Sequence, residues 1–527
     1  MSVPGTSVAV IEEPDASLQD WIAVFAGALG ALIATLDISI TNSALPQIQG
    51  EIGASGTEGT WISTGYLVSE VVMIPLSAWL SRVFGMRTLL LSCTIMFTVF
   101  SMICGVSHDL ATMIIGRVGQ GFFGGALIPT AQSLVRTRLP VRQMPIGMTV
   151  FGLIVLVGPL LGPVIGGWLT ENVDWRWCFF LNVPITGALV ALLLLGLPHQ
   201  KSRIDQLVNA DWIGIAGMTV GLSCLTIVLE NGQRERWFES PLMVRLTVAA
   251  FVGFVTLIIT QFTSKQPVIR LRLLLNRSYA SVILIVTTIG MVLYGITYIL
   301  PQFLNIIAGY NAQQSGKILF ISGVPAFLLI PILPFMLGHL NMKLTVMVGL
   351  LCFSVSCLID SSLTAQSSGG DFVASQLLRG VGQMLAFLPL NQASVGAVSR
   401  DQAADASGLY NMARNLGGSM GLALLGVFID RRVDSHVADI GASVSANSVL
   451  AQSRIAAQAG AFAAQGGDLA YGRTQALLQL SGTIRQQALV ITYSECFWVL
   501  GTGLLLLMPL VFLLRAPARK AQAGERP

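Results

Sequence analysis

The sequence predicts an all-α membrane protein of fourteen transmembrane helices, built as two six-helix bundles with two further helices inserted between them. Three observations predict it. Of the 527 residues, 54% are hydrophobic and only 11% charged, with a mean hydropathy of +0.73. A soluble domain carries about 25% charge, so most of this chain has lipid for solvent. Apolar runs of about 20 residues, the length that spans a bilayer, recur along the whole chain. Finally, one polar pattern occurs twice, on what count as the fourth helices of two six-helix sets.

The expected spans lie at 21–45, 60–80, 88–107, 110–134, 144–168, 177–197, 211–230, 243–263, 279–300, 314–337, 344–364, 372–395, 404–428 and 489–513. They are continuous rather than alternating, which disfavours transmembrane strands. The division expected is a tail (1–20), a first bundle (21–200), two inserted helices with linkers (201–278), a second bundle (279–514) containing a long loop (429–488), and a tail (515–527).

Orientation follows from Lys and Arg in short loops, which stay in the cytoplasm. One set of loops holds Arg82, Arg87, Arg136, Arg138, Arg142, Lys201, Arg203, Lys265, Arg270, Arg272, Arg277, Lys343 and Arg400, then Arg515, Arg519 and Lys520 after the last span. The opposite short loops hold Arg176, Arg234 and Arg236. Both termini are therefore expected in the cytoplasm, although residues 1–20 are acidic and carry no Lys or Arg. They also lack the features of a cleavable signal. The 429–488 loop falls on the outer face, and AQSRIAAQAGAFAAQ (451–465) has helix-forming composition. It reads either as a connector or as a docking element.

The repeated pattern is GRVGQGFFGGALIPTAQ (116–132) and LRGVGQMLAFLPLNQ (378–392). Both run Arg, Gln, an apolar stretch, then Pro-x-x-Gln. Two such halves around a central cavity are the parallel-repeat plan of rocking transporters.

Ionisable residues inside a span are rare and usually face a cavity. Asp37 lies about 24 Å along the first helix from Trp21, Glu70 about 14 Å from Trp61, and Arg117 about 12 Å from Asp109. They are expected in one layer of the first bundle, with Asn42, Gln120 and Gln132 completing a polar lining. Two readings stay open: a buried ion pair that fixes packing, or carboxylates that trade a proton for a substrate, their pKa raised by desolvation and lowered by a nearby Arg. The second bundle holds Arg414 and Glu495, while Glu230 and Asp360 sit at span ends and read as interfacial.

VGPLLGPVIGGW (157–168) puts two prolines and several glycines in the middle of a span. Gly158, Gly162 and Gly166 recur every four residues, a strip that admits another helix closely. Pro159 and Pro163 bend the helix. The strip reads as close packing, or as a hinge between halves that also seals the central path.

Several of these motifs resemble a known family. GLIVLVGPLLGPVIGG (152–167) resembles the antiporter motif of the major facilitator drug exporters, Gly-x5-Gly-Pro-x2-Gly-Pro-x2-Gly-Gly, which maps to Gly152, Gly158, Pro159, Gly162, Pro163, Gly166 and Gly167. GRVGQG resembles that superfamily's fourth-helix motif, whose Arg is implicated in proton coupling; it maps to Arg117. LDISITNSALPQI resembles the first-helix motif of the fourteen-span drug:proton antiporters, with its Asp at Asp37, and WRWCFFLNVPI (175–185) resembles a segment of the same group. The loop ending in QQALVITYSECFW is similar to the EmrB-type branch of the EmrB/QacA family. The likeness covers residues 20–514 and implies the major facilitator fold. The loop after the second span, AWLSRVFGMR (78–87), departs from the superfamily pattern: Arg82 stands where Asp is usual, ahead of Gly85 and Arg87. The usual charge relay at that gate does not carry over.

The function the resemblance implies is proton-coupled efflux of amphipathic toxic compounds across a bacterial inner membrane, with a periplasmic adaptor and an outer-membrane channel as partners. The energy source would be the proton gradient, with no cofactor. A dedicated exporter of one metabolite or siderophore fits the same residues, and a receptor or scaffold is the reading from another class. The sequence offers no metal site, nucleophile motif or phosphate loop, so an enzyme is disfavoured. The seven cysteines fall mostly in apolar runs without ligand spacing, and the net charge of +4 is no argument for nucleic acid.

Overall fold

The computed structural model describes residues 14–140, 142–200, 202–203, 205–208, 210–264, 267–329, 332, 341–399, 402–444, 448–463 and 468–514. Lys201, Lys265, Arg400 and the basic tail residues Arg515, Arg519 and Lys520 lie outside them.

Among the described residues every long element is a helix. The first bundle comprises α1 (Leu18–Ile52), α2 (Trp61–Phe84), α3 (Met86–Gly105), α4 (Leu110–Gly124), α5 (Leu127–Arg138), α6 (Met144–Asn172) and α7 (Asn182–Gly196). α4 and α5 are one expected span broken at Gly125, where the backbone meets Glu70 of α2 so closely that a Cβ would collide. The inserted pair is α8 (Trp212–Asn231) and α9 (Pro241–Thr263). The second bundle follows as α10 (Arg277–Ile306), α11 (Ala312–Ile321), α12 (Val324–Leu329), α13 (Met342–Asp360), α14 (Val373–Gly396) and α15 (Ala403–Ser443), then α16 (Val449–Ala463) and α17 (Leu469–Leu507).

Twelve of these stretches are long and apolar enough to cross a bilayer. The expected spans at 314–337 and 372–395 are not among them. The first begins as α11 and α12, and 330–331 and 333–340 are not described. The second, α14, has a full 24 residues but carries Ser375, Gln376, Arg379, Gln383, Asn391 and Gln392. Its polar side chains lower its hydropathy because it is enclosed by other helices rather than by lipid.

Within the first bundle α1 packs on α5, α6 and α7, while α4 packs between α2 and α3. In the second, α10 packs on α15, and α13 packs on α14 and α17. The bundles meet along two seams, α15 against α2 and α5, and α6 against α11 and α14. The inserted helices pack on each other, and α8 also touches both α2 and α15. The insertion therefore lies against one seam rather than apart from it.

The stretch 429–488, expected as a loop, is mostly helical. α15 runs on to Ser443, and α17 begins at Leu469, well before its apolar part. α16 packs on the early turns of α17, with Gly472 against the backbone of Ala459. Ala, Gln and Ser sustain helix without any apolar stripe, so periodicity gave no sign of it.

The proline–glycine strip explains the α1–α6 contact. A proline has no N–H and so frees the carbonyl four residues earlier. Pro159 frees Val155 and Pro163 frees Pro159. Thr35 Oγ1 lies 3.3 Å from the Val155 carbonyl while also within reach of the Leu32 carbonyl of its own helix at 3.0 Å, and Ser39 Oγ donates to the Pro159 carbonyl at 3.4 Å. Both hydroxyls come from α1. Gly158 lies against Thr35, Gly162 against Ser39 and Gly166 against Ser43, so two four-residue repeats interlock. This corrects the reading of the strip as a hinge between halves: it closes on α1 of its own bundle. Gly152, on α6, is the position that looks toward Leu388 of the second bundle, and a Cβ there would lie 3.9 Å from it. Gly167 has open space.

Candidate functional site

The first bundle buries a saturated ion pair. Arg117 of α4 and Asp37 of α1 are each 1% exposed. Arg117 Nη1 donates to Asp37 Oδ2 at 2.6 Å and to Gln120 Oε1 at 3.0 Å, and its Nε donates to the Ile62 carbonyl at 3.3 Å. Gln120 Nε2 and Asn182 Nδ2 both donate to Asp37 Oδ1, at 2.9 and 2.8 Å. The guanidinium also stacks over the Tyr66 ring, 4.4 Å from its centre. Every polar edge of Asp37 is thus engaged. Desolvating such a pair is costly, and multiple good hydrogen bonds are what offset the cost.

Helix spacing produces this arrangement. Arg117 and Gln120 are three residues apart on α4 and so share a face. Asn182 was not among the residues singled out from sequence. It sits in WRWCFFLNVPI, and its signal was an amide in the first turn of an apolar helix.

Glu70, one turn from Tyr66 on α2, is 2% exposed and makes no hydrogen bond or ion pair among the described residues. The cations within electrostatic reach of it are Arg414 of α15 and Arg117. Arg414 is half-buried, comes from the other bundle and likewise has no ion pair among the described residues. Tyr294 of α10 feels Arg414, Glu70 and Glu230 together. Tyr66 Oη, near Glu70, and Tyr410 Oη, near Arg414, have no partner among the described residues, and the same holds of Asn391 Oδ1 on α14 and Asn411 Oδ1 and Asn415 Oδ1 on α15. Buried polar groups normally find partners, so these orphans along α2, α14 and α15 mark places built for water or a ligand.

The expected set therefore divides. Asp37, Arg117 and Gln120 come together; Glu70 and Arg414, on different bundles, are within electrostatic reach of each other without a bond among the described residues. Asn42 accepts from Ser63 Oγ at 3.0 Å, at the edge of the site. Glu495 lies with neither group: Arg432 Nε donates to it at 2.7 Å, and His436 Nε2 lies 3.2 Å from it. Gln132 of α5 crosses to the second bundle, accepting from Ser407 Oγ at 2.5 Å and Asn411 Nδ2 at 2.8 Å.

The two residues read as interfacial do stand at helix ends, but both are covered by protein. Asp360 is 3% exposed and pairs with Arg379, itself 2% exposed. Glu230 is only partly exposed and accepts from Ser419 Oγ at 2.6 Å, joining α8 to α15. A span end counted along the chain is not at the surface when neighbouring helices cover it.

At the Arg- and Lys-rich end, Arg82 reaches across to Asp405 with both oxygens of the carboxylate, at 2.7 and 2.8 Å. Arg270, from the linker after the insertion, stands 3.5 Å from the same group. Arg136 Nη2 donates to the Val398 carbonyl at 3.1 Å. Among the described residues these bonds between bundles gather at one end, which is the gate end below. Gly85, at φ +82°, turns the chain so that Met86 N–H meets Gln200 Oε1, and Arg87 Nη1 donates to the Leu197 carbonyl at 2.8 Å. Gly85 and Arg87 thus anchor the loop to its own bundle while Arg82 bridges. The polarity is opposite to the superfamily pattern, with the cation on the loop and the acid on α15.

The sequence matches the Major Facilitator Superfamily over residues 27–422. This chain belongs to that superfamily. It is a multi-pass membrane transporter rather than an enzyme. Among its relatives, the "Colistin resistance protein EmrB" of Acinetobacter baumannii is 32% identical over 80% of this chain and 83% of its own length. The "Multidrug export protein EmrB" of Escherichia coli K12 is 31% identical over 96% and 97%. A solved structure, the human organic anion transporter MFSD10, superposes with a TM-score of 0.62 over 93% of this chain and 99% of that one at 14% identity, a likeness of fold.

Proposed function

We propose that this transporter exports amphipathic toxic compounds from the bacterial cytoplasm by exchange against protons. The multidrug-export relatives support the drug side of that reading. The observation that carries the exchange is Glu70. It is a buried carboxylate with no bonded partner among the described residues, within electrostatic reach of an Arg on the other bundle. A charge in that position is tolerable with a proton, a cationic substrate or a closer Arg, and those are the alternatives an antiporter must make exclusive. Asp37 is already saturated, so its role is to hold α1, α4 and α7 together with Arg117. Arg117 and Arg414 set the field at Glu70.

Residues 403–414 of α15 carry both Asp405 of the gate and Arg414 of the site on one continuous helix. Opening the gate would move α15, and with it the cation within reach of Glu70. That mechanical link supports alternating access. The gate end is assigned to the cytoplasm because it carries the basic loops. The far end then faces the periplasm, where α16 and the extensions of α15 and α17 form a surface for an adaptor leading to an outer-membrane channel.

The test uses purified protein in liposomes with an imposed pH gradient and a fluorescent cationic drug. Glu70→Gln abolishes gradient-driven transport and makes the remaining equilibrium binding of the cationic drug independent of pH. Asp37→Asn lowers stability more than it alters coupling. Full gradient-driven transport by folded Glu70→Gln protein refutes the assignment. Replacing residues 445–488 with a short Gly/Ser linker leaves transport in liposomes intact and removes adaptor co-purification; unchanged adaptor binding refutes the docking role.

A further inference from the structure

Each bundle contains one buried Arg on its fourth helix and one buried carboxylate paired to it, but the two pairs differ in how far they are satisfied. Asp37 in the first bundle receives donors from Arg117, Gln120 and Asn182. In the second bundle Arg379 Nη2 donates to Asp360 Oδ2 and the Ser375 hydroxyl stands beside the same carboxyl, but the Arg itself is left short of partners. Among the described residues Arg379 Nε and Nη1 have no partner, and neither does Gln376, whose Nε2 and Oε1 are both orphaned at 0% exposure. Gln376 and Arg379 are three residues apart on α14 and share a face.

Three orphaned donors and one orphaned acceptor beside a buried ion pair are a costly arrangement if dry. Each unmet group forfeits its full desolvation energy. Buried water settles where several polar groups converge, making about three bonds each. Access is present too. Asp360 lines a cavity of about 390 Å³ at the far end, with Ser362, Thr364, Gln366, Ser367 and Asp371.

We infer that Asp360, Arg379 and Gln376 hold internal water continuous with this far-end cavity, and that Asp360 exchanges protons with the medium there through it. A proton from cavity water adds to the Asp360 carboxylate to give the neutral acid, and leaves by the reverse step. Arg379 keeps its charge throughout, its free N–H groups bonded to the water. The other groups near Asp360 do not compete for this role. Cys357 lies one turn earlier on α13, and Asp371 is engaged with the Ser368 N–H at 2.8 Å. α17 presents Tyr493 and Cys496, while its Glu495 is held by Arg432 and His436. The inference rests on the antiport reading for its use in transport, adding a second proton site in the bundle opposite Glu70.

The experiment needs no drug. Infrared difference spectra are recorded on full-length protein in nanodiscs, between neutral and acidic buffer, in H2O and in D2O. The wild type shows a protonated-carboxyl band that is lost in Asp360→Asn and displaced in Asp360→Glu. Gln376→Leu keeps the ion pair but removes water's partners, and slows deuterium uptake at that band by about tenfold, the scale of 1.4 kcal/mol. Spectra of folded Asp360→Asn protein that superimpose on the wild type overturn the proposal. So does a Gln376→Leu protein that is more stable with unchanged exchange, since that marks a dry pair; this arm stands even where Asp360→Asn fails to fold. A missing band with intact drug-driven proton flux is failure of this inference alone. An intact band with no drug-driven flux is failure of the antiport reading alone.

Discussion

Removing Arg82 leaves Asp405, with a side chain 2% exposed, facing only Arg270 at 3.5 Å. The Arg82 side chain is itself 28% exposed, so solvent screens part of the interaction. Hydrogen bonds to charged groups contribute about 1.5–3 kcal/mol each when well enclosed. Two such bonds, discounted for exposure and for the remaining Arg270, come to roughly 2 kcal/mol of closure. Every 1.4 kcal/mol is about tenfold, so the gate in Arg82→Gln protein should open about thirty times more often. Local opening is read by hydrogen exchange, whose rate tracks the population of the open form. Peptides covering 82–87 and 403–411 in nanodisc-embedded protein should exchange about thirtyfold faster, with peptides of α16 unchanged. Asp405→Asn should do at least as much, since it loses Arg270 as well, and the double variant should be no worse than Asp405→Asn alone, because the Arg82 interaction is then already gone. Additive effects in the double variant, or acceleration in Arg82→Gln alone, would refute the inverted-polarity latch.

Other consequences follow from the same geometry. Asp37→Asn and Arg117→Gln each leave a buried partner uncompensated and should lower stability by about 3–5 kcal/mol. Their combination should recover part of that loss in thermal unfolding of the detergent-solubilised protein. Thr35→Val with Ser39→Ala strips the hydroxyls from beside two proline-freed carbonyls and should cost about 0.5–1.5 kcal/mol per carbonyl; unchanged unfolding temperature would mean the carbonyls find water instead. Gly162→Val places branched bulk against Ser39 and the α1 backbone and should abolish folded yield, whereas Gly167→Ala, facing open space, should be silent in the same expression assay.

Much of this architecture was legible in the sequence because lipid imposes a length and a polarity on each span. Asp37, Glu70 and Arg117 were found by the same rule, as charges where none should be. What could not be read was pairing. The spacing of Gly158, Gly162 and Gly166 announced a close contact but not its partner. The matching Thr35, Ser39 and Ser43 repeat on α1 was the available clue. Asp360 was placed by counting residues from a helix start, which locates depth but not the helices covering it. Arg379 stood in the quoted repeat, yet its burial depends on α13 supplying a carboxylate. The division between a saturated Asp37 and an unbonded Glu70 depends on Asn182 and Gln120 arriving from two other helices. No local pattern encodes that.

The interlocked hydroxyls of α1 and carbonyls of α6 have a kinematic consequence. The contacts of Thr35, Ser39 and Ser43 with Gly158, Gly162 and Gly166 recur at four-residue intervals, so sliding one helix along the other by a residue lifts all three out of their gaps together and drives Ser39 off Gly162 against bulkier neighbours. The next register that restores the fit is four residues away, about 6 Å. No gradual shear along this contact is available. α1 and α6 are therefore geared to travel as one rigid piece, and any displacement of one bundle against the other falls at the two seams, where α15 meets α2 and α5 and where α6 meets α11 and α14.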